Sequence, residues 1–289
     1  MKRFVIRLLC AVSLGCLVIS LSLVIQIWQG YTTSVEKVFT APAGAKVLCL
    51  GSSHTGCTWE EGDGVYSVWL NGSAFVFSLI RLKEMERLGQ LGGVKYCIAD
   101  ADYEGLYGRL RVRHVEETFL QSVHYAWRYV ELLPGEGWKY AWAALTWLGH
   151  RRDIKSATPR DGNIYKGLTA LKKANLLKSA ELDLMQSTAV SESIVEANKK
   201  TLDEMKRLCD THDIKLILFA GPLVKGHPLR GAHRDLLNRW ITFCRESGVE
   251  YWDLRDEMPD EFFYDINHLS DEGRKIISEK YLSRLLLKQ

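Results

Sequence analysis

The sequence predicts an α/β domain, a three-layer sandwich in which helices cover both faces of a mostly parallel sheet. Strand-sized apolar runs recur along the chain, at residues 46–51, 94–100, 214–221 and 249–254. Helical spacing of apolar residues occurs at about 73–90, at 192–212, along Leu236, Trp240 and Phe243, and after the N-cap candidate Ser270. Strands that alternate with helices require crossover connections, and these place neighbouring strands parallel.

Bulk composition is that of an ordinary globular chain. Its 289 residues are 47% hydrophobic and 25% charged, which is enough for one large core. The formal net charge is +3, from 38 basic and 35 acidic residues. A charge so close to balance does not predict a nucleic-acid partner, which would need a clearly basic surface.

The N-terminus predicts a retained membrane anchor. Lys2, Arg3 and Arg7 precede an apolar run from Leu8 to Trp28, whose length of about 21 residues matches the ~20 needed to span a bilayer. A cleavable signal has a shorter apolar region, of about 7 to 15 residues. Because the basic end stays in the cytoplasm, we expect a single-pass protein of the inner membrane with a periplasmic domain.

Composition also predicts the domain boundaries. We expect the anchor at residues 1–29, a short stalk at 30–45, and one α/β domain at 46–289. Residues from about 101 to 189 are helix-rich without a convincing strand, which indicates an insertion.

Aromatic residues crowd this predicted insertion. Nine tyrosines and tryptophans from Tyr103 to Trp147 form an aromatic cluster in the sequence. Aromatic rings can stack on sugars or face a membrane partner, and they can equally fill a small local core. Both interpretations remain open.

Motifs for metals and common cofactors are absent from the sequence. Five cysteines lie beyond the predicted anchor, an odd number without CxxC spacing, so we expect no zinc site. The sequence has no phosphate-binding loop and no dinucleotide fingerprint. We therefore expect neither a metal nor a cofactor.

The first predicted strand ends in an unusual turn. In KVLCLGSSHTGC, Lys46 to Cys57, a buried-strand pattern is followed directly by two serines and a histidine. Ligand and catalytic sites of open parallel sheets lie at such carboxyl ends of strands. Ser52 or Ser53 could cap the next helix, or one of them could be a nucleophile at the sheet edge.

A second motif lies near the C-terminus. In FFYDINHLSDEG, Asp265 precedes His268 by three residues. This spacing can place the carboxylate beside the imidazole, which fixes the tautomer and leaves the other ring nitrogen to accept a proton from Ser53. The same residues could instead form a plain turn before a helix, with Asp265 bonded to backbone amides.

Together, the two motifs resemble those of the SGNH (GDSL-type) hydrolase superfamily. LGSSHT is similar to its first block, and YDINHLSDEG is similar to its last block, D-x-x-H. With the anchor, the chain resembles the membrane-bound branch that O-acetylates or D-alanylates bacterial surface polymers beside a membrane-bound O-acyltransferase. The resemblance implies a flavodoxin-like fold, a triad of Ser53, His268 and Asp265, and no cofactor.

The resemblance also implies an oxyanion hole. The Ser53 amide would donate one hydrogen bond, and Gly72 and Asn71 of WLNGSA would supply the others. His54 and His227 could reach the rim of the site. The asparagine of the superfamily's third block is missing, and this departure leaves room for acyl transfer or for a domain without activity.

The resemblance and the predicted anchor thus imply a membrane-anchored, extracytoplasmic serine esterase or O-acyltransferase that moves an acyl group, expected to be acetyl, on a cell-surface glycan. The expected partners are the glycan or an acyl donor, the inner membrane and a membrane-bound O-acyltransferase. The alternative is a non-catalytic scaffold or glycan-binding component of a polysaccharide modification or export complex.

Overall fold

The computed structural model describes residues 12–22, 24–25, 44–69, 75–102, 164–187, 192–231 and 234–287. Residues 12–22 and 24–25 are helical. Within these ranges, no helix is both long and apolar enough to cross a bilayer. Nearly all of the predicted stalk, the aromatic cluster of the predicted insertion, and the residues Asn71 and Gly72 lie outside the described residues.

The described core contains five strands and eight α-helices. The strands are β1 (Val47–Gly51), β2 (Val65–Trp69), β3 (Tyr96–Asp100), β4 (Lys215–Ala220) and β5 (Glu250–Asp253). The helices are α1 (Ser53–Thr58), α2 (Phe75–Arg87), α3 (Ile164–Gly167), α4 (Ala170–Ser187), α5 (Glu192–Thr211), α6 (Pro228–Gly231), α7 (Arg234–Glu246) and α8 (Asp271–Leu286).

The five strands form one parallel sheet. Their order is β2-β1-β3-β4-β5, and every neighbouring pair is parallel. This order is that of flavodoxin-like sheets, in which ligands bind where the strand order reverses, here around β1 and β3. The predicted α/β fold with a parallel sheet is confirmed.

Helices cover both faces of the sheet because strand side chains alternate between them. Leu48 and Leu50 of β1 join a buried cluster with α2, α5 and α7. Val47 and Cys49 join the opposite cluster, which includes Ile277 of α8. All five residues of β1 are buried, as expected for a central parallel strand.

Strand β2 was not predicted from the sequence. Its five residues, VYSVW, are too few for a strong local pattern and follow the turn residues Gly62 and Gly64. Pairing with β1 defines it, since Val65 lies opposite Val47 and Trp69 lies opposite Gly51. A tertiary contact, which a local pattern does not contain, therefore specifies this strand.

The last helix begins as predicted. The Ser270 hydroxyl accepts a hydrogen bond from the Gly273 amide at 3.3 Å, and α8 starts at the next residue. This N-cap satisfies an amide that would otherwise lack a partner at the helix start. The helix begins three residues after His268, so the cap also fixes the end of the loop that carries this histidine.

Gly51 allows the tight turn at the end of β1. Its φ is +154°, a conformation that side chains with a Cβ rarely adopt. A Cβ there would lie 2.2 Å from Thr55 Oγ1 and 2.3 Å from the Asp100 Cβ. Only glycine therefore fits between α1 and β3.

We expect Gly51→Ala to lower the free energy of unfolding by about 2–4 kcal/mol, from backbone strain and overpacking. Urea unfolding of the purified chain measures this change. Gly92→Ala is the matched control, because a Cβ at Gly92 meets no atom within 4 Å. Equal unfolding midpoints for the two variants would contradict the packing described at Gly51.

Candidate active site

The turn after β1 uses its two serines differently. Ser52 is the N-cap of α1, and its Oγ accepts a hydrogen bond from the His54 amide at 3.2 Å. The Ser52 hydroxyl also donates to the Asp100 carboxylate of β3. Ser53 is the first residue of α1. The capping role thus belongs to Ser52 and leaves the Ser53 side chain for another contact.

Ser53, His268 and Asp265 lie together in the geometry of a hydrolase triad. Ser53 Oγ lies 3.0 Å from His268 Nε2, although 215 residues separate them. The other ring nitrogen of His268, Nδ1, lies 2.9 Å from Asp265 Oδ2. Both distances are within hydrogen-bond reach, as nucleophile–base and base–orienter pairs require.

The backbone around Asp265 holds its carboxylate in place. Asp265 Oδ1 accepts hydrogen bonds from the amides of Asn267, at 3.0 Å, and His268, at 2.9 Å. Burial alone would raise the pKa of Asp265, but the hydrogen bond and charge of His268 and the two amides lower it below its ordinary value. The sequence left two alternatives for Asp265, a contact with the imidazole or hydrogen bonds to backbone amides of a turn. In the structure Asp265 makes both kinds of contact.

Two backbone contacts position the loop that carries Asp265 and His268. Phe263 and Leu269 form an antiparallel bridge across the base of this loop. The Val224 amide, in the segment after β4, donates to the Ile266 carbonyl at 3.1 Å. The loop is therefore fixed to the carboxyl end of β4, on the same sheet edge as Ser53.

A buried arginine supports the ends of β1 and β2. Arg81 of α2 has no exposed surface, and its Nη1 donates to the carbonyls of Gly51, at 2.9 Å, and Val68, at 3.2 Å. These carbonyls lie at the strand ends that lead into the site. Arg81 thus joins the two strands through a charge-assisted contact.

A second imidazole–carboxylate pair lies beside the triad. His54 Nδ1 lies 2.5 Å from Asp102 Oδ2. The ring centroids of His54 and His268 are 5.3 Å apart, in an edge-on arrangement. His54 was predicted only as a rim residue, and Asp100 and Asp102 were missed. Asp100 and Asp102 lie at the carboxyl end of β3, which is the neighbour of β1. Because sites in parallel sheets lie at such strand ends, this position could have indicated both residues.

Asp100 connects the turn that carries Ser52 to the residues that follow β3. Its Oδ2 accepts from Ser52, and its Oδ1 accepts from the Asp102 amide at 3.3 Å. The pKa of Asp100 is raised from 3.8 to about 7, because burial and the charge of Asp102 outweigh the opposing effects of His54 and Ser52. The carboxyl group is thus close to half-protonated near neutral pH.

His227, the other predicted rim residue, is buried near α6. Its Nδ1 accepts a hydrogen bond from the Leu229 amide at 3.2 Å, which holds the start of this short helix. This contact gives His227 a part in the structure of the turn. Of the predicted oxyanion donors, the structure describes Ser53, while Gly72 and Asn71 lie outside the described residues.

His54, Asp100 and Asp102 are also the candidates for holding a metal, because their ligand atoms lie within 4.8 Å of one another. However, His54 Nδ1 and Asp102 Oδ2 are 2.5 Å apart. Two tetrahedral ligands at about 2.0–2.2 Å from a zinc ion lie about 3.4 Å from each other. The observed spacing fits a hydrogen bond better than shared coordination.

Comparisons with known proteins give little further information. No protein-family model matches the chain, and no curated protein matches it in sequence. Among solved structures, the chain is similar to a proposed acylhydrolase from Bacteroides fragilis, with a TM-score of 0.44 and 11% identity. The match covers 90% of this chain and 95% of that one. The likeness is too weak to assign a family or an activity.

We expect wild type to lose stability relative to Asp100→Asn as the pH rises from about 4 to about 7. The folded chain holds a proton on Asp100 that the unfolded chain releases near its ordinary pKa of 3.8, so raising the pH favours unfolding. A shift of this size corresponds to about 2–4 kcal/mol. Urea unfolding at several pH values measures the difference.

Asp213→Asn is the matched control for this measurement, because the Asp213 side chain is 96% exposed. Its stability should follow wild type across the same pH range. If the curves for wild type and Asp100→Asn run parallel, the proton on Asp100 does not contribute to folding.

Proposed function

We propose that the chain is a membrane-anchored, extracytoplasmic serine esterase or O-acyltransferase of the SGNH type, which moves an acyl group, expected to be acetyl, on a cell-surface glycan. The observation that carries the proposal is the 3.0 Å contact between Ser53 Oγ and His268 Nε2, with Asp265 on the other side of the ring. A serine hydroxyl is a weak nucleophile unless such a base is adjacent.

In the proposed reaction, His268 takes the proton of Ser53 as Ser53 Oγ attacks the acyl carbonyl. Asp265 holds the imidazole in the tautomer with hydrogen on Nδ1 and stabilises the imidazolium that forms. The lowered pKa of Asp265 supports this role, because the carboxylate stays ionised. The Ser53 amide is the proposed oxyanion donor among the described residues.

The second half of the reaction decides between hydrolysis and transfer. The acyl group on Ser53 passes to water in an esterase and to a sugar hydroxyl in a transferase. The aromatic residues of the predicted insertion support a glycan acceptor, since aromatic rings stack on sugars, and the missing third-block asparagine leaves room for acyl transfer. A membrane-bound O-acyltransferase is the proposed partner that supplies the acyl donor.

A non-catalytic scaffold is the second candidate, because the third-block asparagine is missing. Its aromatic insertion would bind glycan or a membrane partner. A scaffold does not need a serine, an imidazole and a carboxylate in hydrogen-bonded order. The triad geometry therefore favours the enzyme.

We expect Ser53→Ala to abolish labelling by a fluorophosphonate probe and hydrolysis of nitrophenyl acetate, because the attacking oxygen is gone. In cells that carry this variant, acetylation of the surface glycan, measured by mass spectrometry, should also be lost. Ser283→Ala on α8 is the matched control and should keep wild-type labelling.

The two readouts test different parts of the proposal. Labelling that survives in Ser53→Ala would overturn the serine mechanism. Labelling that is lost while glycan acetylation remains intact would overturn the glycan substrate and leave the enzyme class standing.

We expect the full chain to sediment with membranes and to resist alkaline carbonate extraction, whereas a chain that lacks residues 1–29 should remain soluble. The apolar run from Leu8 to Trp28 is the physical reason. Fluorophosphonate labelling of the shortened chain checks that its domain is folded. Release of the full chain by carbonate would contradict the anchor.

A further inference from the structure

The His54–Asp102 pair repeats the chemical arrangement of His268 and Asp265. In each pair a carboxylate oxygen lies within hydrogen-bond distance of an imidazole Nδ1, at 2.5 Å for Asp102 and 2.9 Å for Asp265. A carboxylate in this position fixes the tautomer and the orientation of the ring. Nδ1 of His54 contacts Asp102, and Nε2 is the other ring nitrogen that can exchange a proton.

The second pair lies beside the histidine of the proposed triad. His54 directly follows Ser53 on the first turn of α1, and its ring contacts the ring of His268 edge-on at 5.3 Å. Since His268 Nε2 is 3.0 Å from Ser53 Oγ, the contact between the rings brings His54 close to the proposed nucleophile. The His54 side chain is largely buried, with 11% of its surface exposed.

Hydrogen bonds connect Asp102 to the turn that carries Ser53. The Asp102 amide donates to Asp100 Oδ1, and Asp100 accepts from the hydroxyl of Ser52 at the base of α1. The turn after β1 and the Asp102 carboxylate are thus connected through the buried side chain of Asp100. Such a supporting network is typical of groups whose orientation matters for chemistry.

We propose that His54 is a second catalytic acid–base group that exchanges protons with the leaving group and the acceptor, while His268 exchanges a proton only with Ser53. This inference rests on the proposed acyl-transfer function. It assigns to His54 and Asp102 the proton transfers that a single triad histidine would otherwise perform alone.

Proton transfers balance in both halves of this scheme. In the first half, Ser53 Oγ bonds to the acyl carbon and gives its proton to His268. The bond between the acyl carbon and the leaving oxygen then breaks. His54, which is protonated at the start, donates its proton to that oxygen. In the second half, the acceptor oxygen attacks the acyl carbon and gives its proton to neutral His54. The bond to Ser53 Oγ breaks, and His268 returns the proton to Ser53.

The distance between the rings supports this division of roles. When His268 takes the serine proton, a protonated His54 becomes a second positive charge with its ring centroid 5.3 Å away. Like charges at this separation oppose each other, which favours release of the His54 proton to the leaving oxygen at that moment. Asp102 keeps the ring oriented throughout.

The test compares two acetyl esters with the full chain purified in detergent. A nitrophenyl leaving group departs as a stable anion, whereas the ethoxide of ethyl acetate needs a proton. We expect His54→Gln to lower kcat/KM for ethyl acetate by about 10²–10⁴-fold, and to lower kcat/KM for nitrophenyl acetate at least tenfold less. Asp102→Asn should shift the ratio of the two esters in the same direction, by a smaller factor.

A purely structural role of His54 would lower both kcat/KM values in the same proportion, and this result would overturn the proposal. Unchanged values for both esters would overturn it as well. Fluorophosphonate labelling of Ser53 in His54→Gln verifies that the triad is intact. His212→Gln is the matched control, because His212 forms a surface pair with Glu86 at 3.0 Å; its ester ratio should equal that of wild type.

Two further outcomes are distinguishable. If a chelator removes ethyl acetate turnover and zinc restores it, the pair ligates a metal and the proton-transfer role is wrong. If the wild-type chain neither labels nor hydrolyses either ester, the proposed function fails and this inference fails with it. If the wild-type chain is labelled and active but His54→Gln does not change the ratio of the two esters, the inference about His54 is wrong and the proposed function stands.

Discussion

The close approach of β1 to β3 at Gly51 is the constraint on which the site depends. Without a Cβ at this position, the chain turns directly from β1 into α1 and leaves room for the Asp100 side chain. Asp100 then bonds to Ser52, and this contact places Ser53 at the edge of the sheet. A larger residue at the end of β1 would separate the two strands that supply the polar groups.

The proximity of Ser53, His268 and Asp265 could be predicted from the sequence, because the signals for it are local. A buried-strand pattern ends at Gly51, two residues before Ser53, and the three-residue spacing of Asp265 and His268 precedes a helix cap. Each pattern needs only a few neighbouring residues, and parallel-sheet topology brings strand ends to one edge. The parallel α/β fold followed from the same kind of periodic signal.

Other features could not be predicted, because distant contacts define them. β2 exists through pairing with β1, and Arg81 is a charged residue that a hydrophobic pattern would place on the surface. Asp102 is an ordinary acidic residue until the fold brings it against His54. The sequence placed His227 near the rim, whereas the observed contact with Leu229 gives it a role in a turn.

The separation of Ser53 and His268 along the chain has a consequence for biosynthesis. The hydroxyl is synthesised 215 residues before the imidazole that it contacts. A chain that has reached only β3 therefore holds Ser53 without His268. The contact between the two side chains forms only after β4 and the loop before α8 have been made and have packed at the same sheet edge.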